Sequence, residues 1–197
     1  MTRGNVTELG RAFSTLVRLR DRSAILIRAI RPDDKQRVLG HFSRLSERSV
    51  YQRFFGLKKV LTPEDLVHLT ELDFVDAVGL AATLGDGDPE RGGEGERIVG
   101  IGRYFVEPAV PGMPRSAEVA FAVEDAHQGR GIATQLLEQL LPFARQSRTS
   151  CLYADVLADN IHMLHVFSRM GFTARSVQHG VIRMSVDVTA DEGRMSA

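Results

Sequence analysis

From residue 118 the chain reads Glu-Val-Ala-Phe-Ala-Val-Glu-Asp-Ala-His-Gln-Gly-Arg-Gly-Ile-Ala-Thr. This stretch restricts the fold more than any other. An apolar run of strand type passes through a short polar turn into a glycine-flanked helix start, and the helical pattern continues to about Gln146. Gly129 and Gly131 let the main chain approach a ligand with no side chain in the way. The first amides of a helix have no intrahelical partner and lie at the positive end of the macrodipole. The segment is therefore read as a seat for a pyrophosphate, to which Arg130 adds a full charge. Two familiar phosphate motifs are excluded. The dinucleotide fingerprint lacks its third glycine, because position 134 is Thr, and no Lys-Ser or Lys-Thr follows the glycines as in a phosphate loop.

Elsewhere, strands and helices alternate. Ala24–Ile27 reads as a strand, and Arg31-Pro32-Asp33-Asp34 opens a helix with acids where its dipole favours them. Thr62-Pro63-Glu64-Asp65 opens another, capped by Thr62. Strands are expected at Ala77–Leu84, Arg97–Val106, Ala117–Val123, Cys151–Leu157, Phe172–Val177 and Val181–Val188, with a helix over Asn160–Met170. Gly85–Glu96 reads as the loop of a hairpin. Leu9, Ala12, Phe13 and Leu16 recur at helical spacing, so residues 1–22 are read as an extension that forms either an accessory helix or a mobile arm. Residues 23–188 form one α/β domain, with a mixed, mostly antiparallel central sheet flanked by helices, and residues 189–197 a polar tail.

Gln128, Gly131 and Ala133 satisfy Gln-x-x-Gly-x-Ala, and with the strand before them they resemble the central motif of the GNAT superfamily of N-acetyltransferases. A second segment, Asn160-Ile-His-Met-Leu-His-Val-Phe-Ser-Arg-Met-Gly171-Phe172, is similar to that family's other cofactor segment. The resemblance implies that acetyl-CoA is held by Phe121, Ala122, Val123, Gln128, Gly129, Arg130, Gly131, Ile132, Ala133 and Thr134, with Asn160 reaching the pantetheine arm. Read by itself, Asn160 is an ordinary helix cap. Arg31-Pro32-Asp33-Asp34 and the run Leu45–Phe55 resemble the bacterial protein-lysine acetyltransferase branch, in which an Arg matching Arg169 is associated with CoA.

Acetyl transfer to an amine needs a base. A lysine amine titrates near 10.4, so only about one in a thousand is neutral near pH 7.4, a handicap of about 4 kcal/mol. A positioned base supplies roughly 10²- to 10⁴-fold. Glu118 is the candidate: it heads the strand entering the cradle, and it shares a face with Ala120 and Ala122, which leave room for a ligand. Many members of the superfamily carry a Tyr where this chain has Phe167, and Phe167 cannot protonate a leaving thiolate. The expected acceptor is a protein lysine. The alternatives are a small amine, such as a polyamine or an antibiotic, and a non-catalytic regulator that binds acyl-CoA.

Lys plus Arg and Asp plus Glu both number 25, so no global field draws the chain to nucleic acid or to a membrane surface. No apolar run reaches the ~18 residues that suggest a membrane span, and Met1–Asn5 does not begin a secretory signal. The expectation is a cytoplasmic monomer or homodimer. The single cysteine, Cys151, and six scattered histidines give no metal cluster. Glu71, Asp73 and Asp76 read as a solvated acidic loop.

Overall fold

A computed structural model of the chain describes residues 3–85 and 95–189. In chain order the elements are α1 (Arg3–Arg11), β1 (Ser14–Arg18), β2 (Ala24–Ala29), α2 (Lys35–Ser43), α3 (Glu47–Phe54), α4 (Pro63–Thr70), β3 (Ala77–Leu84), β4 (Arg97–Val106), β5 (Ser116–Val123), α5 (Ile132–Gln146), β6 (Cys151–Leu157), α6 (Ile161–Arg169), β7 (Thr173–Gln178) and β8 (Val181–Asp187). The strands form one sheet in the order β1-β2-β3-β4-β5-β6-β8-β7. Every neighbouring pair is antiparallel except β5 and β6. The expected α/β architecture, a mostly antiparallel sheet flanked by helices, is what the chain adopts.

Helices cover both faces. On one, Leu136, Leu137, Leu140 and Ala144 of α5 are fully buried in a cluster with Val78, Leu80, Val99 and Val119. Burying a leucine contributes about 1.5–3 kcal/mol, so α5 anchors the centre of the sheet. On the other face, Val38 and Leu69, from α2 and α4, meet Ala81, Ile98 and Ile101. The two clusters sandwich β3 and β4, and β5, the strand that leads to the cradle, joins the first of them through Ala117 and Val119. No helix of the described residues is long and apolar enough to cross a membrane.

One expectation changes. The helical spacing expected through Leu16 ends at Arg11. Ser14–Arg18 is the edge strand beside β2, in register Ser14↔Arg28 to Arg18↔Ala24. The open edge of β2 needs backbone partners, and β-branched Thr15 and Val17 suit a strand. Asp34 stands at a helix start as expected, and the fold gives it a partner as well. It is fully buried and accepts two hydrogen bonds from the Arg28 guanidinium, at 2.7 and 2.8 Å, while Arg28 also reaches Glu96. Burial works against the charge of Arg28, but these bonds outweigh it and raise its pKa.

The acidic group on the loop before β3 is exposed, as expected, and each member has a partner. Glu71 pairs with Lys35, Asp76 pairs with Arg115, and Asp73 accepts from the amides of Val75, Asp76 and Ala77. Most of the expected hairpin loop, and all but the first residue of the expected tail, lie outside the described residues.

Candidate active site

The site begins where two strands part. The β5 and β6 strands pair in parallel over only three positions, Ser116↔Cys151, Ala117↔Leu152 and Glu118↔Tyr153. Beyond Glu118 they diverge, and from Val119 to Val123 the β6-facing edge of β5 has no strand partner. Unpaired backbone groups within a protein demand partners. The opening is a cleft of about 530 Å³, bounded by β5, the turn after it, α3 and α6.

Every predicted site residue except Arg130 lines this cleft. Glu118 stands half-buried at the apex, the last paired residue of β5. Phe121, Ala122 and Val123 run along its open edge, and Gln128, Gly129, Gly131, Ile132, Ala133 and Thr134 form its far end. Gln128 is itself a brace. Its side-chain amide donates to the Val123 carbonyl at 3.0 Å and to Ser49 Oγ at 3.2 Å, holding the turn against both β5 and α3.

At the start of α5 the cap residue is Gly131, in the left-handed region with φ 94° and no side-chain cap. Gly129 is also left-handed, φ 73°, and nothing stands within 4 Å of where its Cβ would be. A side chain at either position would be strained. The first amides of α5 are thus uncapped and border the cleft, as an anion seat requires.

Arg130 is a correction. It was expected to add its charge to the seat, but Nε bonds Asp21 Oδ2 at 2.7 Å and Nη2 bonds Ser23 Oγ at 2.7 Å. Its Nη1 meets His127 Nδ1 at 2.8 Å; a guanidinium only donates, so Nδ1 is the acceptor. Arg130 therefore fastens the loop to the turn between β1 and β2. That turn brings Arg20 in its place. Arg20 lines the cleft, with Nε 3.5 Å from the ideal Cβ position of Gly131.

On the opposite wall Asn160 caps α6, accepting from the Met163 amide at 3.2 Å, and it also borders the cleft. Arg169, in the last turn of α6, is exposed and lines the cleft as well. Phe167 is 2 % exposed and packs against Phe121 and Phe172, with ring centroids 5.9 and 4.8 Å away.

Sequence reading missed the whole of α3. Its N-terminus is tied to the turn after β5, because Asp125 accepts from the Ser46 amide at 2.9 Å and from Ser46 Oγ and Ser49 Oγ at 2.7 and 2.9 Å. Arg48, Ser49, Gln52, Arg53 and Phe55 then line the cleft from that side. The available signal was Ser46, a cap residue followed by Glu47 in the first turn.

The chain matches the acetyltransferase (GNAT) family over residues 79–172. It is 30% identical over 172 residues to Acetyltransferase Pat of Mycolicibacterium smegmatis, an alignment covering 87% of this chain and 48% of that protein. The chain thus spans about half the length of that relative. The crystal structure of the GNAT domain of S. lividans PAT superposes with a TM-score of 0.78 at 37% identity, covering 88% of this chain and 96% of that one. A Salmonella typhimurium protein, yncA, solved with its cofactor acetyl-CoA, shares the fold, with a TM-score of 0.66 at 18% identity and coverage of 84% and 95%.

Proposed function

The chain belongs to the acetyltransferase (GNAT) family, and from that premise we propose that it transfers an acetyl group from acetyl-CoA to the side-chain amine of a protein lysine. The observation that carries the reading is the splay of β5 from β6. It joins an unpaired strand edge, an uncapped helix N-terminus and a half-buried carboxylate in one cleft.

The residues fit such a donor. The bare amides of α5 suit a pyrophosphate, with Arg20 beside them and Arg169 on the facing wall. The free edge of β5 from Val119 to Val123 suits a thin chain carrying amides, which adds to a sheet edge as a strand does. Acetyl-CoA supplies an acyl group activated as a thioester. Glu118, at the apex, is the base that takes the proton from the attacking amine, directly or through one water. The proton that the departing thiolate needs does not come from position 167, since Phe167 has no hydroxyl.

A protein acceptor is supported by the rim. Tyr51, Phe55 and Leu57 are exposed on and after α3, and Phe55 lines the cleft. Exposed apolar side chains at and near a cleft wall suit a macromolecular surface better than a free polyamine. The test is to incubate the protein with acetyl-CoA and cell lysate and map acetylation by mass spectrometry. New acetyl-lysines that depend on Glu118 are expected. Acetylation confined to small amines would overturn the acceptor, and none at all would overturn the transfer.

A further inference from the structure

Two arginines stand behind the apex of the cleft with no work assigned to them. Arg53 closes the last turn of α3 and lines the cleft. Arg103 lies on β4 in register with Ala120, two residues along from the pair Phe105↔Glu118, so its side chain shares the face of Glu118. The two arginines line a common small void with Phe54, Ala120 and Ala122. Each guanidinium lies near an aromatic ring, Arg53 with its Cζ 5.0 Å from the Phe54 centroid and Arg103 with its Cζ 4.9 Å from that of Phe105. Both side chains are half-buried.

Among the described residues neither makes a hydrogen bond or an ion pair. Other arginines of the domain show the contrast: Arg28, Arg44, Arg97, Arg130 and Arg183 each bond a carboxylate. A guanidinium carries five donors in a fixed fork and is always charged. Leaving two such forks half-buried and unbonded is unfavourable. Burial in turn lowers the pKa of both; their mutual repulsion adds to this at Arg103, and Glu118 opposes it at each. One acid cannot neutralise two cations. Asp65, the other acid acting on Arg103, is already paired with Lys58 at 2.8 Å. The apex therefore holds an excess positive charge, and Arg53 brings it to the cleft wall.

We propose that Arg53, backed by Arg103, binds a carboxylate of the acceptor, so that the amine offered to Glu118 belongs to a molecule with an acidic group close to that amine. The inference rests on the transfer reading above and narrows its substrate class. It excludes polyamines, whose additional cations meet two arginines. Two sources supply the same chemistry: an Asp or Glu side chain beside the acceptor lysine of a protein, or the α-carboxylate of a free amino acid. The same positive field favours the neutral, reactive form of the amine.

The test uses matched probes on the wild-type chain and on Arg53→Met and Arg53→Lys. One pair is a lysine peptide flanked by Glu and the same peptide flanked by Gln. The other is free lysine and cadaverine, which differ by a carboxylate. A bond to a charged group contributes about 1.5–3 kcal/mol, so the acidic member of the preferred pair should have kcat/KM roughly 10- to 100-fold higher, mostly through KM. Arg53→Met should abolish that preference, and Arg53→Lys should restore part of it. CoA affinity, measured in parallel, shows that each variant is folded. Preference within the peptide pair identifies a protein acceptor, and preference within the lysine–cadaverine pair a free amino acid.

Equal turnover within both pairs would overturn the inference while leaving acetyl transfer intact. Calorimetry with the Glu-flanked peptide and free lysine on CoA-loaded protein separates the remaining outcomes. Arg53-dependent binding without turnover sustains the carboxylate site and sinks the transfer. Neither turnover nor Arg53-dependent binding rejects both.

Discussion

Glu118 shows how much one residue's surroundings add to its type. In sequence it is an acid before a run of small and apolar residues. In the fold it closes the paired part of β5 and β6, so its carboxylate stands where the strands open. Glu118→Gln keeps the size and hydrogen bonding of the side chain and removes its basicity. Turnover at neutral pH should fall roughly 10²- to 10⁴-fold. CoA affinity should hardly change, because the cradle lies at the other end of the cleft. Raising the pH should recover part of the rate, since solvent then supplies neutral amine. Stopped-time assays across pH test this, and wild-type turnover throughout would remove Glu118 from the mechanism. Arg130 teaches the opposite lesson. Its charge suited a phosphate on sequence grounds, but Asp21 lies 109 positions away in the chain and claims it.

At the scale of elements, the junction of β5 with α5 was legible because its requirements are local. Left-handed glycines, a missing cap and an apolar helix face are properties of neighbouring residues. Gly131→Glu should strain a position with φ 94° and set a carboxylate against the bare amides of α5. CoA affinity should fall at least about tenfold, by the loss of one charge-assisted bond or more. Calorimetry decides it, and equal affinity would reject the cradle. The Thr62 cap was equally local, and it forms with Asp65 as a reciprocal pair. The strand at Ser14–Arg18 was not local. Leu9, Ala12, Phe13 and Leu16 keep helical spacing, yet the helix ends at Arg11 and the free edge of β2 draws Leu16 into a strand.

For the whole molecule, the packing of α2 on the sheet makes stability depend on pH. His41 is 2 % exposed, neither ring nitrogen has a hydrogen-bond partner, and Nδ1 stands 3.5 Å from Glu124 Oε1. Burial, against the pull of Glu124, holds its pKa down at about 4 from the ordinary 6.5. The unfolded chain therefore binds a proton at His41 that the folded chain refuses, and stability is lost as pH falls from about 6.5 towards 4. The full loss approaches about 3 kcal/mol. His127, also lowered by burial first, adds a slope of the same sign. Glu124 acts at lower pH: burial would raise its pKa, but Arg97 and Arg44 outweigh that and hold it below the usual glutamate value. Denaturant unfolding between pH 6.5 and 5 should show this slope, and His41→Leu should flatten it. An unchanged slope in the variant would assign the acid sensitivity elsewhere.

By itself the sequence determined the order of elements from α4 onward, the apolar faces of α5 and β5, the glycine-flanked helix start and the choice of Glu118 as candidate base. Each depends on periodicity or on contacts within a few residues, which the chain carries wherever it goes. Only the tertiary structure decided that β5 and β6 separate after Glu118, that Arg20 rather than Arg130 reaches the cradle, and that α3 brings Arg53 to the apex. These features join residues tens of positions apart. Their energies come from ion pairs and packing that exist only once the sheet has set both partners in place.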